Sequence, residues 1–257
     1  MMGRPAICAA LALGVAALGM GVSSAAAQDS GSVLRDALFG ASPNASRRVA
    51  PPPVARYVSE TGEEFVLDRT APRPLLRFES SNEVWALSPQ AGPRGDVIYK
   101  NDLGEPMLRA TKLGGLTLFT RERPEGLAVA VSGTSPPIRL PAMGPNLLLQ
   151  RLAQASGRAS KAAGRLIPFG ADATPQSAAL IADAAGLAAD AFVRLSHSQS
   201  GRAATGQIQK IYVAQGKRPD AAVSKGVLIV TVTQQLGHAG RPSSQRIAYV
   251  TRRAAEP

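Results

Sequence analysis

The stretch GPRGDVIYKNDLGEPMLRATKLGGLTLFT, residues 92–120, predicts two consecutive β-hairpins. Apolar and polar residues alternate in three segments of it, which is the period of a half-buried strand. The segments are 96–100, 106–112 and 116–120. Between them lie Asn101-Asp102-Leu103-Gly104 and Gly114-Gly115, and Asn, Asp and Gly tolerate the positive φ angles that tight turns require. The stretch is therefore predicted to be antiparallel sheet.

The same alternation extends through the surrounding chain, from Arg56 to Leu140. Apolar residues occupy every second position in several short segments, and turn-forming residues separate these segments at intervals of about ten residues. The alternating pairs are Phe65 and Leu67, Leu76 and Phe78, and Trp85 and Leu87. This pattern is typical of an antiparallel meander, a sandwich or a partial barrel.

After Pro141 the apolar period lengthens to that of a helix. Pro145 suits the first position of a helix, and the first predicted helix runs over 146–166. A second is predicted to begin near Pro175 and to end near His197, with Asp190 paired to Arg194 four residues later. The apolar stripes are Leu148, Leu152, Ala155, Ala159 and Ala162 in the first helix and Leu180, Ala184, Leu187, Ala191 and Leu195 in the second.

Three strand candidates follow, at 207–214, 226–235 and 246–251. The middle one contains VLIVTV, which is apolar on both faces and predicts a central strand. The sequence thus predicts an α+β protein. It has an antiparallel β-rich N-terminal part at 55–140, two central helices, and a small antiparallel C-terminal strand group within 141–257. Whether the two parts share one hydrophobic core is left open.

Residues 1–27 have the pattern of a secretory signal peptide. Arg4 precedes an apolar run, and Ala25 and Ala27 occupy the small-residue positions of a cleavage site. The alternative is an uncleaved anchor, but the run is shorter than the roughly 20 residues that span a bilayer. Residues 28–54 are predicted to be a flexible, Pro-rich tether.

We therefore expect a periplasmic or secreted protein without an integral membrane segment after cleavage. Its mature chain would have no cysteine, because the single cysteine, Cys8, lies in the predicted signal peptide.

Charge is unevenly distributed along the chain. Residues 28–125 hold thirteen basic and thirteen acidic residues, whereas 126–257 hold fifteen basic and five acidic ones. A basic half can bind an anionic partner. Alternatively, it reflects an arginine-rich composition, since arginine outnumbers lysine 23 to 6. Nucleic acid is not a predicted partner, because the protein is expected to be exported and its basic half has few aromatic residues.

Two sets of residues are candidates for binding an anion. The segment GRPSSQR, residues 240–246, brings two guanidiniums and two hydroxyls together, and arginines recur every seven residues on the first predicted helix. The candidates are Arg241, Ser243, Ser244 and Arg246 in the segment and Arg151, Arg158 and Arg165 on the helix. The alternative for the segment is a polar turn that leads into the last strand.

The sequence shows no nucleophile elbow, zinc-binding helix or phosphate-binding glycine loop. No catalytic residue, cofactor or metal ligand is therefore predicted. His197 is expected to close the second helix, and His238 to lie in a Gly-rich turn. A pair of carboxylates assembled by the fold needs no sequence motif. The first suspects for such a pair are Glu79, Glu83, Asp96 and Asp102.

The stretch 92–120, with PLLRFE at 74–79, EVWAL at 83–87 and GRPSSQRI at 240–247, resembles an exported Gram-negative bacterial family known as a domain of unknown function. The similarity extends over most of the mature chain. The resemblance implies an exported bacterial domain, and it brings no activity, cofactor or catalytic residue.

The function predicted from the sequence is binding of an envelope partner or anionic ligand through the basic C-terminal half, without catalysis. One alternative is a hydrolase that acts on an envelope polymer through carboxylates assembled by the fold. The other is a structural envelope protein with no small ligand.

Overall fold

The computed structural model describes residues 52–256, and within them the N-terminal part is an antiparallel sheet of nine short strands. The predicted signal peptide and most of the predicted tether lie outside the described residues. The strands are β1 (Val54–Ser59), β2 (Glu64–Asp68), β3 (Leu75–Phe78), β4 (Val84–Ala86), β5 (Ser88–Ala91), β6 (Val97–Lys100), β7 (Pro106–Ala110), β8 (Leu116–Leu118) and β9 (Leu127–Thr134). The two hairpins predicted in 92–120 are confirmed as β6–β7 and β7–β8.

The sheet closes into a ring because its two edge strands, β4 and β5, are separated by one residue, Leu87. β4 pairs with β3 and β5 pairs with β6, so the chain crosses from one edge to the other at this residue. The Leu87 amide donates to the Pro74 carbonyl at 2.8 Å, and Arg73 donates to Ser88 Oγ at 2.7 Å. These bonds hold the bend at which the chain links the two edges of the sheet.

The inside of the ring is a hydrophobic core formed by alternate strand positions. Tyr57 and Phe65 stack there, with ring centroids 5.3 Å apart. The buried members are Ala55, Tyr57, Phe65, Leu67, Leu76, Trp85, Leu87, Leu108, Leu116 and Leu118. Phe65 with Leu67 and Trp85 with Leu87 point inward together, as the period of two predicted.

The C-terminal part has four helices and four strands within the described residues. The helices are α1 (Pro145–Ala163), α2 (Ala178–Ser196), α3 (Gln199–Gly206) and α4 (Ser244–Arg253), and the strands are β10 (Phe169–Ala171), β11 (Lys210–Gln215), β12 (Asp220–Ser224) and β13 (Val227–Val232). The sheet order is β10-β11-β13-β12, which confirms the predicted central strand as β13. Helix α2 contributes the largest number of residues to this second core and packs on α1 and α4.

Both predicted helices are confirmed, with shorter bounds. α1 begins at Pro145 and ends before Gly164, whose φ of 68° is the left-handed conformation that glycine adopts readily at helix ends. The predicted pairing of Asp190 with Arg194 is wrong. Asp190 instead forms an ion pair with Arg158 of α1, so this carboxylate joins two helices rather than two turns of one helix.

The α+β class is confirmed, but the C-terminal strand group differs from the prediction in two respects. Residues 246–251, predicted as a strand, form α4. Ser243 caps this helix by accepting from the Arg246 amide at 3.0 Å, and Ile247 and Thr251 lie buried on one face of it. The sheet is also mixed, since β11 runs parallel to both β10 and β13 while β12 is antiparallel to β13. Helices α2 and α3 provide the long crossover that a parallel β10–β11 pair requires.

The C-terminal part covers the outer face of strands β1 to β4. A hydrophobic cluster joins the two parts, and its buried members are Val54, Val66, Leu75 and Val84 of the ring with Ile138 and Ala239. Carboxylates of the ring reinforce this contact by accepting backbone hydrogen bonds from the C-terminal part. Asp68 accepts from the Ile138 amide at 2.8 Å. The interface therefore combines apolar packing with charged hydrogen bonds.

Candidate functional site

A groove with a volume of about 1090 Å³ lies between the ring and helices α1 and α2. Its walls are the β3–β4 hairpin, the segment Ile138–Met143, and the facing surfaces of the two helices. The charged lining residues are Arg77, Arg139, Arg151, Arg158, Arg194, Glu79, Glu83, Asp183 and Asp190. Both parts of the protein therefore contribute charges to one concave surface.

Four of the five lining arginines form no ion pair with another described residue. These are Arg77, Arg139, Arg151 and Arg194. Arg194 donates to Ser244 Oγ at 3.2 Å, and Arg158 is the arginine that pairs with Asp190. Because Glu79 pairs with Arg56 outside the groove, the groove keeps guanidiniums whose charge is not matched by a direct partner.

Asp183 lies on α2 at the floor of the groove, beside His238 and Arg241. Its Oδ2 is 3.3 Å from His238 Nδ1 and accepts from Arg241 Nε at 2.7 Å. Burial by itself would raise the pKa of Asp183. The hydrogen bond with His238 and the charge and hydrogen bond of Arg241 outweigh burial and lower that pKa below its ordinary value. Asp183 is thus held as a carboxylate.

Glu83 lies near the start of β4 and is buried. Ser244, the first residue of α4, donates its amide to Oε1 at 2.9 Å and its hydroxyl to Oε2 at 2.7 Å. Burial raises the pKa of Glu83 despite these bonds and despite the charges of Arg241 and Arg194. Glu83 and Asp183 therefore differ in acidity within one groove, a feature of sites where a proton donor works beside a carboxylate.

The structure divides the sequence-predicted anion candidates among three places. Arg151 and Arg158 line the groove, whereas Arg241 and Arg246 line a separate cavity of about 170 Å³. Arg165 donates to the backbone carbonyls of Thr205 and Gly206 at 3.1 Å, and so supports the end of α3. The seven candidates do not share one face.

The two serines of GRPSSQR already bind carboxylates of the protein itself. Ser243 donates its amide and its hydroxyl to Asp102, both at 2.7 Å, and Ser244 does the same toward Glu83. The N-terminus of α4 is therefore occupied by two carboxyl groups of the protein itself. Binding of an external anion by this segment stays a prediction, and it would have to use Arg241 and Arg246.

Of the four suspected carboxylates, two line the groove, namely Glu79 and Glu83. Asp96 instead accepts from Arg109 Nε at 2.7 Å within the ring, and Asp102 holds Ser243. Sequence reasoning missed Asp183 as a partner of His238, since the two are 55 positions apart. It also missed Arg77 in β3, Arg139 in the segment before α1 and Arg194 in α2, which follow no common spacing.

Residues 52–256 include no cluster of three His, Cys, Asp or Glu side chains that could hold a metal ion. In the same range, no helix combines the length and the apolar character needed to cross a membrane.

A family model described as "Domain of unknown function (DUF4908)" matches residues 33–251. The match includes every residue that lines the groove or the smaller cavity. No curated protein and no solved structure matches the chain.

Proposed function

The chain belongs to the DUF4908 family of domains of unknown function, and we propose that it binds an anionic ligand of the cell envelope in the groove between the ring and helices α1 and α2. The observation that carries this proposal is the set of four groove arginines without an ion-pair partner among the described residues. Guanidiniums bind phosphate and carboxylate oxygens through paired, charge-assisted hydrogen bonds.

The size and lining of the groove favour a ligand larger than a single ion. A volume of about 1090 Å³ slightly exceeds the usual range for small-molecule pockets. The lining also includes Ser81, Asn82 and Gln154, which can bond hydroxyl groups, and apolar residues such as Met143. A sugar that carries phosphate or carboxylate groups offers both chemistries. We therefore propose a phosphorylated or acidic glycan as the ligand class.

The experiment is a binding titration with two probes, a short polyphosphate and an oligogalacturonate. The test variant is Arg77→Gln with Arg151→Gln, which removes one guanidinium from the ring side of the groove and one from helix α1. Charge-assisted hydrogen bonds contribute roughly 1.5–3 kcal/mol each, so affinity should fall by about a hundredfold or more. The control is Arg252→Gln with Arg253→Gln, which removes two exposed arginines of α4 outside the groove.

An equal loss in both double variants would show that only the overall charge attracts the probe. Unchanged affinity in a folded groove variant would remove the basis of the proposal. Binding that survives in the control and is lost in the groove variant is the expected result.

A second candidate function is hydrolysis of an envelope polymer, and one observation favours it. Burial raises the pKa of Glu83, while Asp183 is held ionised in the same groove. Glu83 could then donate a proton to a leaving group, and Asp183 could accept one from water or stabilise positive charge.

Glu83→Gln should abolish product release from an acidic polysaccharide and preserve binding of the oligogalacturonate. Release of product by that variant would exclude Glu83 as the acid.

The proposed location, periplasmic or secreted, is supported by the signal-peptide pattern of residues 1–27. Intact mass of the protein isolated from its native envelope tests it. The expected mass is that of a chain beginning at Gln28, and a mass that includes Met1 to Ala27 would contradict export by cleavage.

A further inference from the structure

The side chain of Arg241 is 1% exposed, and one of its nitrogens has no hydrogen-bond partner among the described residues. Its Nε donates to Asp183 at 2.7 Å, whereas the buried Nη2 donates to no described atom. A buried donor that is left unpaired is destabilising, and buried polar groups in proteins are nearly always bonded to protein, water or ligand. An acceptor beside this guanidinium is therefore needed.

Arg241 lines the cavity of about 170 Å³, which lies on the ring side of α4. Two further arginines, Arg73 and Arg246, line it, and so does Trp85. The guanidinium of Arg246 is 3.7 Å from Asp220 Oδ1, beyond hydrogen-bond length, so this pair does not use the donors of Arg246 fully.

Two carboxylates, Asp102 and Asp220, line the cavity beside the three guanidiniums, and Asp183 pairs with Arg241 from outside it. Both oxygens of Asp102 accept from Ser243, at 2.7 Å each. Asp220 is 58% exposed, and its one ion pair within residues 52–256 is the long contact with Arg246. Three guanidiniums therefore meet around one small space, and one of them carries a buried, unpartnered donor.

We infer that this cavity is a binding site for a single phosphate-type oxyanion, held by Arg241 and Arg246. A water molecule takes up about 30 Å³ of liquid, so the cavity has room for several waters or one tetrahedral anion. An oxyanion can accept from donors of two arginines at once, through charge-assisted hydrogen bonds that are stronger than those of a neutral acceptor. From the sequence, Ser243 and Ser244 are also candidates for binding the anion. Their hydroxyls are not available to it, because they donate to Asp102 and Glu83.

The site is independent of the groove proposal, because Arg73, Arg241 and Arg246 do not line the groove. Trp85 is the only tryptophan of the chain, so its fluorescence reports on the cavity. Inorganic phosphate should change the Trp85 emission saturably, at constant ionic strength, and calorimetry should give one site per chain.

The test variant is Arg246→Gln, whose side chain is 38% exposed and whose removal leaves the Arg241–Asp183 pair intact. Phosphate affinity should fall about tenfold to a hundredfold. Arg252→Gln removes an equal charge from the exposed face of the same helix and should leave the affinity within about twofold.

Methyl phosphate distinguishes the two sources of such an anion. Tighter binding of inorganic phosphate would identify the free ion as the ligand of the cavity. Tighter binding of methyl phosphate would identify the ligand as a phosphate group of a larger envelope molecule. No saturable change in Trp85 emission and no heat would show that water alone fills the cavity. Equal weakening in Arg246→Gln and Arg252→Gln would show that the anion is held by net charge. Either result overturns the inference.

Discussion

Asp183 and Arg241 form the most deeply placed ion pair of the candidate site, with 2.7 Å between Oδ2 and Nε. Replacing Asp183 by Asn leaves a guanidinium that is 1% exposed without its ion-pair partner. The free energy of unfolding should fall by about 3–5 kcal/mol, as measured by urea denaturation at neutral pH. Adding Arg241→Met to Asp183→Asn removes the buried charge and should restore part of the loss. If Asp183→Asn alone were as stable as the wild type, the Asp183–Arg241 ion pair would not be formed in solution.

The acidity of Glu83 makes a second prediction for one residue. Burial raises its pKa above the ordinary value of 4.5, so the unfolded chain releases this proton at lower pH than the folded protein does. The contribution of Glu83 to stability is therefore present below 4.5 and is lost as the pH rises through the raised pKa. Glu83→Gln has no proton to lose, so its stability relative to wild type should increase from about pH 4 to about pH 7. Urea denaturation at both pH values measures this, and a difference independent of pH would contradict it.

Among the elements, α4 depends most clearly on distant residues. Ser243→Ala removes the cap on the Arg246 amide and the hydroxyl bond to Asp102 at 2.7 Å. A cap contributes about 1 kcal/mol and a hydrogen bond to a charged group about 1.5–3 kcal/mol, so the loss should be about 3 kcal/mol in thermal or urea unfolding. Ser198→Ala is the matched control, because Ser198 caps α3 by accepting from the Gly201 amide at 3.1 Å. Equal losses in the two variants would show that the hydroxyl bond to Asp102 does not stabilise α4.

The same element shows what the sequence could predict and what it could not. The hairpins of 92–120 and helix α1 carry their own turn and cap residues, such as Gly104 and Pro145, so local signals were sufficient. α4 contains the β-branched residues Ile247, Val250 and Thr251, which favour a strand. The serines at its start bind carboxylates that lie 141 and 161 positions earlier. The Asp183–His238 contact could not be predicted either, because only tertiary folding brings these two residues together across 55 positions of sequence.

Carboxylates of the nearly neutral first half of the protein anchor its basic second half. Asp68, Glu83 and Asp102 each accept a backbone amide from beyond Pro137, at 2.8, 2.9 and 2.7 Å. Arg139 also lowers the pKa of Asp68, and Arg194 and Arg241 act on Glu83. Part of the charge asymmetry therefore serves to dock the two parts, and the groove exists only while they are docked.

Asp68 tests this dependence, because it is fully buried and holds the Ile138–Met143 wall of the groove through the Ile138 amide. Burial would raise its pKa, but hydrogen bonds from Thr70 and Ile138 and the charge of Arg139 lower it below 3.8. Its contribution to stability is thus present above pH 3.8 and is lost as the pH falls through the lowered pKa.

Asp68→Ala leaves the Ile138 amide without its acceptor, so the free energy of unfolding should fall by about 2–4 kcal/mol. Limited proteolysis should then cut residues 135–143 faster, with weaker binding of the polyphosphate probe. Asp96→Ala, which removes a carboxylate bonded to Arg109 and Lys112 within the ring, should leave cleavage at 135–143 unchanged. Equal cleavage of that segment in the wild type and Asp68→Ala would show that apolar packing alone holds the groove wall.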